Sequence, residues 1–410
     1  MKKFLFFCMI ALVAMCGLNS CSEDCDHNYI EHDFTQDIVG TWTYVEGSQA
    51  EAIEINPDGS CTITGVMIHG ALYEEKGSIK VVNNKVTLVF DGDKETFEGR
   101  LEFVAGKSLS LVMFDDNDVR LTYDYCKEDL SDEIVGMWVC NDAKDNMRIQ
   151  SFEENGNTVF SGWSEHLGEF SVLDNANYKV VGDLIFQGFP NGENSFSKYI
   201  AAKLIYTPNG TAHGDIMTFK HFLFDGAESA ESWLRVKQTL DLAGKKYDYI
   251  SAYVSNVKGK DENFSISGNT FNIAKMDAGD FDVMFRSVLS CYEFPNANTF
   301  KHTFSVNGQE AELVVPITVE GNKVTIEMTA VAPVLRNVEM YMFQDADNSQ
   351  LHIYMPTKSF INYFANLEFT TLLTEGKIDQ TDEAAIAKVF ADMETRVESI
   401  NVSFVMKARK

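Results

Sequence analysis

The 61 Asp and Glu residues in this 410-residue chain make neighbouring carboxylates unavoidable. Acidic pairs therefore say nothing of general acid–base chemistry, which needs two carboxyls held at a set separation. The nearest approach to a metal motif is Asp345-Ala346-Asp347-Asn348-Ser349. That spacing would open a calcium loop, but its sixth position is Gln350 where Gly is needed, and its twelfth is Pro356 where a bidentate Glu closes the site. A hairpin turn is the better reading. Asp115, Asp116 and Asp118 read as solvated turn carboxylates. The eight histidines are scattered: His27 and His32 lie near the N-terminus, and His213 and His221 are eight residues apart. None has the spacing of a zinc site. Gly106-Lys107-Ser108-Leu109-Ser110 is not a nucleophile elbow, and no Gly-rich phosphate loop follows a strand. The expectation is a protein without a cofactor and without catalysis, acting by binding, with an uncharacterised hydrolase as the last alternative.

One residue does announce chemistry. Lys2 and Lys3 precede the apolar run Phe4 to Val13, followed by Leu18-Asn19-Ser20-Cys21. A basic start and a short apolar stretch form a secretory signal. Leu three residues before Cys21, with a small residue directly before it, resembles the bacterial lipobox. That resemblance implies removal of residues 1–20, a diacylglyceryl thioether on the Cys21 sulfur and acylation of its freed amine. Several acyl chains anchor durably, since each buried methylene adds about 0.8 kcal/mol. Ser22, Glu23, Asp24 and Asp26 resemble the acidic export signal of Bacteroidota surface lipoproteins, which implies the outer face of the outer membrane. The formal net charge of −27 opposes binding to nucleic acid or to an anionic lipid surface. Beyond Cys21, Cys25, Cys61, Cys126, Cys140 and Cys291 form an odd set with no zinc spacing, and read as small buried residues.

The elements that would position any site begin with a duplication. Ile38-Val39-Gly40-Thr41-Trp42 returns as Ile134-Val135-Gly136-Met137-Trp138, with the glycines 96 residues apart. Asn56-Pro57-Asp58-Gly59 matches Glu154-Asn155-Gly156, and Gly65 matches Gly162, both offset by 97. One inserted residue puts all three landmarks in register. Each copy reads as short alternating strands. The turns fall at Pro57-Asp58-Gly59, Asn83-Asn84, Gly106-Lys107 and Asp115 to Asp118, then at Asn155-Gly156, Asn191-Gly192 and Asn209-Gly210. Such a pattern predicts a small meander barrel that closes its own edges.

Gly-x-Trp on a first strand resembles the lipocalin signature, in the short form of lipocalin-like domains of Bacteroidota lipoproteins. The resemblance covers residues 38–127 and 134–237. It implies that Gly40 with Trp42, and Gly136 with Trp138, plug the closed barrel ends beneath an Arg from the last strand; Arg120 and Arg235 are the partners it would take. It also implies a small apolar ligand, or a glycan held on exposed aromatics, for which Trp163, Trp233, Tyr247 and Tyr253 are the candidates. The alternative is an adhesion or assembly subunit, with the barrels as spacers and the C-terminal region docking a surface protein.

The expected organisation is a signal peptide over 1–20, an acidic tether over 21–37, β domains over 38–129 and 130–237, and a C-terminal domain over 238–410. Within the last, Leu242-Ala243-Gly244-Lys245-Lys246-Tyr247 reads either as a degenerate third start or as the entry to an α+β domain. Apolar spacing predicts helices near 357–367 and 382–397, and Ile400, Val402, Phe404 and Met406 predict a closing strand. The fold class expected is mainly β: tandem meander barrels, then a β-rich α+β domain with two helices.

Overall fold

The computed structural model describes residues 33–409 except 47–48, 67–69, 93–95, 114–119, 141–146, 165–168, 190–197, 212–213, 223–227, 267–268, 307–308 and 380. Residues 1–32 with Cys21, the Asp115–Asp118 turn, Asn191-Gly192 and His213 lie outside the described residues. The protein is mainly β, built as three closed eight-stranded antiparallel barrels. Closure is visible in each first strand, which pairs on both sides. Gly40–Glu46 joins Gln49–Ile55 and Arg120–Tyr125. Gly136–Cys140 joins Arg148–Phe152 and Glu228–Val236. Lys245–Gly259 joins Cys291–Asn296 and Val397–Ala408. Closed sheets leave no edge strand to pair with another chain.

The duplicated motif has a local physical basis. Gly40 and Gly136 sit at φ of +134° and +133°, a backbone shape that a side chain resists. That turn aims the Trp two residues later into the barrel. The Trp42 and Trp138 indole N–H groups donate to the carbonyls of Ile38 and Ile134, at 2.8 and 2.7 Å. All four side chains are buried. The third landmark also keeps its register, because Gly65 pairs with Glu51 and Gly162 with Arg148. Asn83 and Asn84 both take positive φ in a two-residue hairpin turn, as their types allow. Asn209-Gly210 is not a turn: both residues lie inside the strand Lys198–Thr211, at a register irregularity.

The third barrel begins at Lys245, with Tyr247 fully buried where the earlier barrels place Trp. Its eight strands carry two insertions. After the first strand come the hairpin Phe264–Ile266 with Asn269–Phe271 and helix α1 (Ala278–Val288). After the seventh come α2 (Thr357–Thr374) and α3 (Glu383–Arg396). α1 was not expected. Its signal is the capping box between Asp277 and Asp280, followed by Phe281, Met284, Phe285 and Val288 on one face. α2 is buried on nearly every side between barrel, hairpin and the other helices. Its Phe360 and Phe364 meet Phe285 of α1, which stacks on Phe404 of the last strand. Its polar residues are paired: Asn362 and Asn366 donate to the Asn337 and Arg336 carbonyls, and Glu368 takes Arg396 at 2.9 Å. No helix among the described residues is long and apolar enough to cross a membrane.

The barrels pack side by side. Ala50, Ala52 and Val66 of the first meet Val181, Leu184 and Phe186 of the second. Val139 and Ile149 of the second meet Tyr341, Phe343 and Tyr354 of the third.

Candidate ligand-binding site

The lumen of the second barrel combines a part-buried ion pair, buried amides and aromatic rings. Strand alternation decides which side chains enter its lumen. Trp138 and Cys140 share one inward face, as do Arg148, Gln150 and Phe152. Phe219 with His221, Trp233 with Glu231, and Ile185 with Gln187 follow the same rule. At the closed end the Arg235 guanidinium lies 4.7 Å from the Trp138 ring centroid. It also donates to the carbonyls of Val135, at 3.3 Å, and Glu133, and its Nε is 3.5 Å from Asp215. Above this plug Phe160, Phe219 and Trp233 form an aromatic floor.

Over that floor lies a polar layer. Arg148 donates from Nη2 to Glu231 at 3.0 Å, stands 3.7 Å from the Cys140 sulfur, and covers the Trp233 ring at 5.5 Å. Gln150 donates to Thr158 at 3.1 Å. His221 stacks on Phe219. Burial pushes its pKa below the usual imidazole range, Glu231 opposes that shift and Arg148 reinforces it, so the ring is neutral at pH 7. Gln187 is 5 % exposed, and its Nε2 has no hydrogen-bond partner among the described residues. The Arg148 and Glu231 side chains keep 20 % and 28 % of their exposure, so solvent reaches the layer. The chemistry on offer is hydrogen bonding and charge pairing above an aromatic surface. Among the described residues no three His, Cys, Asp or Glu side chains could share a metal ion.

The first barrel answers the same positions differently. Glu51 and Tyr123 stand where the second barrel has Arg148 and Trp233, as the pairing around Trp42 and Trp138 shows. The Glu51 carboxylate accepts from the Tyr73 and Tyr123 hydroxyls. Burial raises its pKa, and the two phenols hold it down. The close approach of Tyr73 needs Gly65, since a Cβ there would sit 2.2 Å from its hydroxyl oxygen.

Sequence reasoning placed Arg120 over Trp42, and the structure corrects this. Tyr125 pairs with Trp42 and packs edge-on at 4.9 Å, the place Arg235 takes over Trp138. Arg120 lies on the surface with Glu102. Its offset from the closing position is the reason: it starts the last strand, whereas Arg235 nearly ends one. Of the four aromatic candidates, only Tyr253 is exposed, at 41 %. Trp163 is wedged between barrels against Tyr354 at 5.4 Å. Trp233 lines the lumen of the second barrel, and Tyr247 is core, with Gln344 donating to its hydroxyl at 2.7 Å. Tyr253 borders a groove of about 410 Å3 between the second and third barrels. The polar layer was missed because Arg148, Gln187, His221 and Glu231 are spread over 84 residues and four strands. Cys61, Cys126, Cys140 and Cys291 are all buried. Comparison with known proteins finds no family model that matches the chain and no curated protein that matches its sequence.

Proposed function

We propose that this chain is a non-catalytic binding lipoprotein, held through Cys21 in an outer membrane and facing the cell exterior, with lipocalin-like barrels as its binding modules. The observation that carries the reading is the polar chemistry inside the second barrel: a solvent-reached Arg148–Glu231 pair above Trp233, and a buried, unpartnered Gln187 amide on the inward face of another strand. A buried donor without an acceptor costs about 1–3 kcal/mol, and a ligand acceptor removes that cost. A wholly apolar ligand would leave it in place. The ligand is therefore a small molecule with an apolar or aromatic body for the floor and a hydrogen-bond acceptor for Gln187 and Arg148.

A metabolite library screened by thermal shift against the full chain, followed by calorimetry, tests this. The expected result is a ligand whose affinity falls at least about tenfold in Gln187→Leu and in Arg148→Met. Gln187→Leu should keep or raise the melting temperature of the free protein, because it removes the orphaned donor. No ligand, or a ligand indifferent to both substitutions, would overturn the reading.

A further inference from the structure

The groove between the second and third barrels has a different chemistry from the lumen. The second barrel contributes Val139, Ile216, Ser232 and Leu234 from its outer face, whose neighbours Trp138, Met217 and Trp233 point inward. The third contributes Tyr253, Ser251, Gln350, His352 and Val405, alternating with the core residues Leu351, Ile353 and Phe404. Its volume of about 410 Å3 falls within the roughly 300–1,000 Å3 of small-molecule clefts, and junctions between domains are a favoured place for them.

The lining contains no Asp, Glu, Lys or Arg, although 23 % of the chain is charged and its net charge is −27. A charged ligand would be desolvated there without a counter-charge. A wholly apolar ligand would offer no hydrogen bond to the Gln350 amide or to the hydroxyls of Ser251 and Ser232, the last of which already shares one with Thr218 at 3.0 Å. Gln350 is 5 % exposed, so its amide has little access to water. A neutral saccharide meets both conditions. Its hydroxyls match the row of neutral polar side chains, and its C–H faces match the aliphatic walls and the exposed Tyr253 ring. We infer that this groove is a binding site for a neutral saccharide, separate from the lumen of the second barrel and independent of whether that lumen is occupied.

The test is an array of neutral oligosaccharides, with uronate- and sialate-bearing ones as charged comparators, probed with the detergent-solubilised full chain. The expected result is binding to neutral members. Tyr253→Ala should weaken it about tenfold, while Tyr253→Phe, which keeps the ring, should hold within about twofold. Ser232→Trp, which fills the groove from the opposite barrel, should abolish it with an unchanged circular dichroism spectrum. Gln187→Leu, in the lumen, should leave it intact. The inference is overturned by no binding to neutral saccharides, by binding confined to charged ones, by binding that survives Tyr253→Ala and Ser232→Trp, or by loss only in Gln187→Leu.

Discussion

Arg235 and Arg120 differ in energetic worth although both are arginines on a last strand. Arg235 is a hub: it covers Trp138, satisfies two backbone carbonyls and faces Asp215, which in turn accepts from Tyr206 at 2.8 Å. Removing it strips a cation from an indole and leaves those acceptors without their donor. Arg235→Ala should therefore destabilise the second barrel by about 1–3 kcal/mol. Arg120 shares an exposed ion pair with Glu102, where solvent and salt weaken the attraction. Arg120→Ala should change stability by no more than about 0.5 kcal/mol. Urea unfolding followed by tryptophan fluorescence checks both, and equal losses would refute the assignment of the plug to Arg235 alone. The Gly-x-Trp motif was legible because it depends on neighbours in the chain: a positive φ, and an indole reaching a carbonyl four residues back. The partner over the indole was legible once in two copies, because it comes from the last strand, distant in the chain, and its type is free to change.

At the scale of an element, α2 places a titratable group at risk. His302, on the strand Thr299–Val306, is fully buried against Tyr292, Phe300 and Phe304. Its Nε2 lies 3.1 Å from the Val288 carbonyl and its Nδ1 3.1 Å from the Tyr363 hydroxyl of α2. This pattern suits a neutral ring in which Nε2–H donates to the carbonyl and Nδ1 accepts from the phenol. Burial lowers its pKa from 6.5 to about 3. The unfolded chain then takes up a proton at a pH where the folded barrel refuses one. The stability this ring contributes is present above about pH 6.5 and drains away as the pH falls toward 3, by an amount on the order of a few kcal/mol. His221 acts with the same sign. Glu51 acts with the opposite one: its raised pKa keeps a proton on the folded state, so its contribution fades as the pH rises through the carboxylate range. Melting temperatures across pH 3–7 should fall less steeply in His302→Gln than in the parent, and parallel curves would refute the claim. The helices near 357–367 and 382–397 were expected from apolar spacing. α1 is harder to read from the chain because Ala278-Gly279 makes a weak start, for which the Asp277–Asp280 capping box compensates.

For the whole molecule, the joint between the second and third barrels is aromatic. Trp163 and Phe170 from one meet Tyr341, Phe343 and Tyr354 from the other, with Phe170 and Tyr341 at 4.8 Å. The connecting segment is pinned beside it. Lys237 N–H donates to the Gln344 carbonyl at 2.8 Å, and the Gln344 amide donates to the Asp241 carbonyl at 2.7 Å. Truncating Trp163 and Phe170 together to Ala should loosen the joint and expose residues 237–244 to protease, while each barrel stays folded. A linker as resistant as the parent's would show that the aromatic cluster does not hold the barrels. The proposed anchor belongs to the same scale. Cys21→Ser should abolish metabolic labelling with palmitate and move the protein out of the membrane fraction, and retention in the membrane would refute lipidation at Cys21.

By itself the sequence determined the repeat, the strand alternation, most hairpin turns and two of the three helices. These follow from the preferences of residues within one turn or one strand of each other, and such preferences act wherever the chain lies. Tertiary structure alone decided the closure of the third barrel, whose first and second strands are separated by a hairpin and a helix. It also decided the substitution of Tyr125 for an arginine, the wedging of Trp163 between barrels and the polar layer inside the second barrel. Each depends on which strands a closed sheet brings face to face. Closure joins residues a hundred positions apart, and pairing of that range leaves no period in the chain to be read.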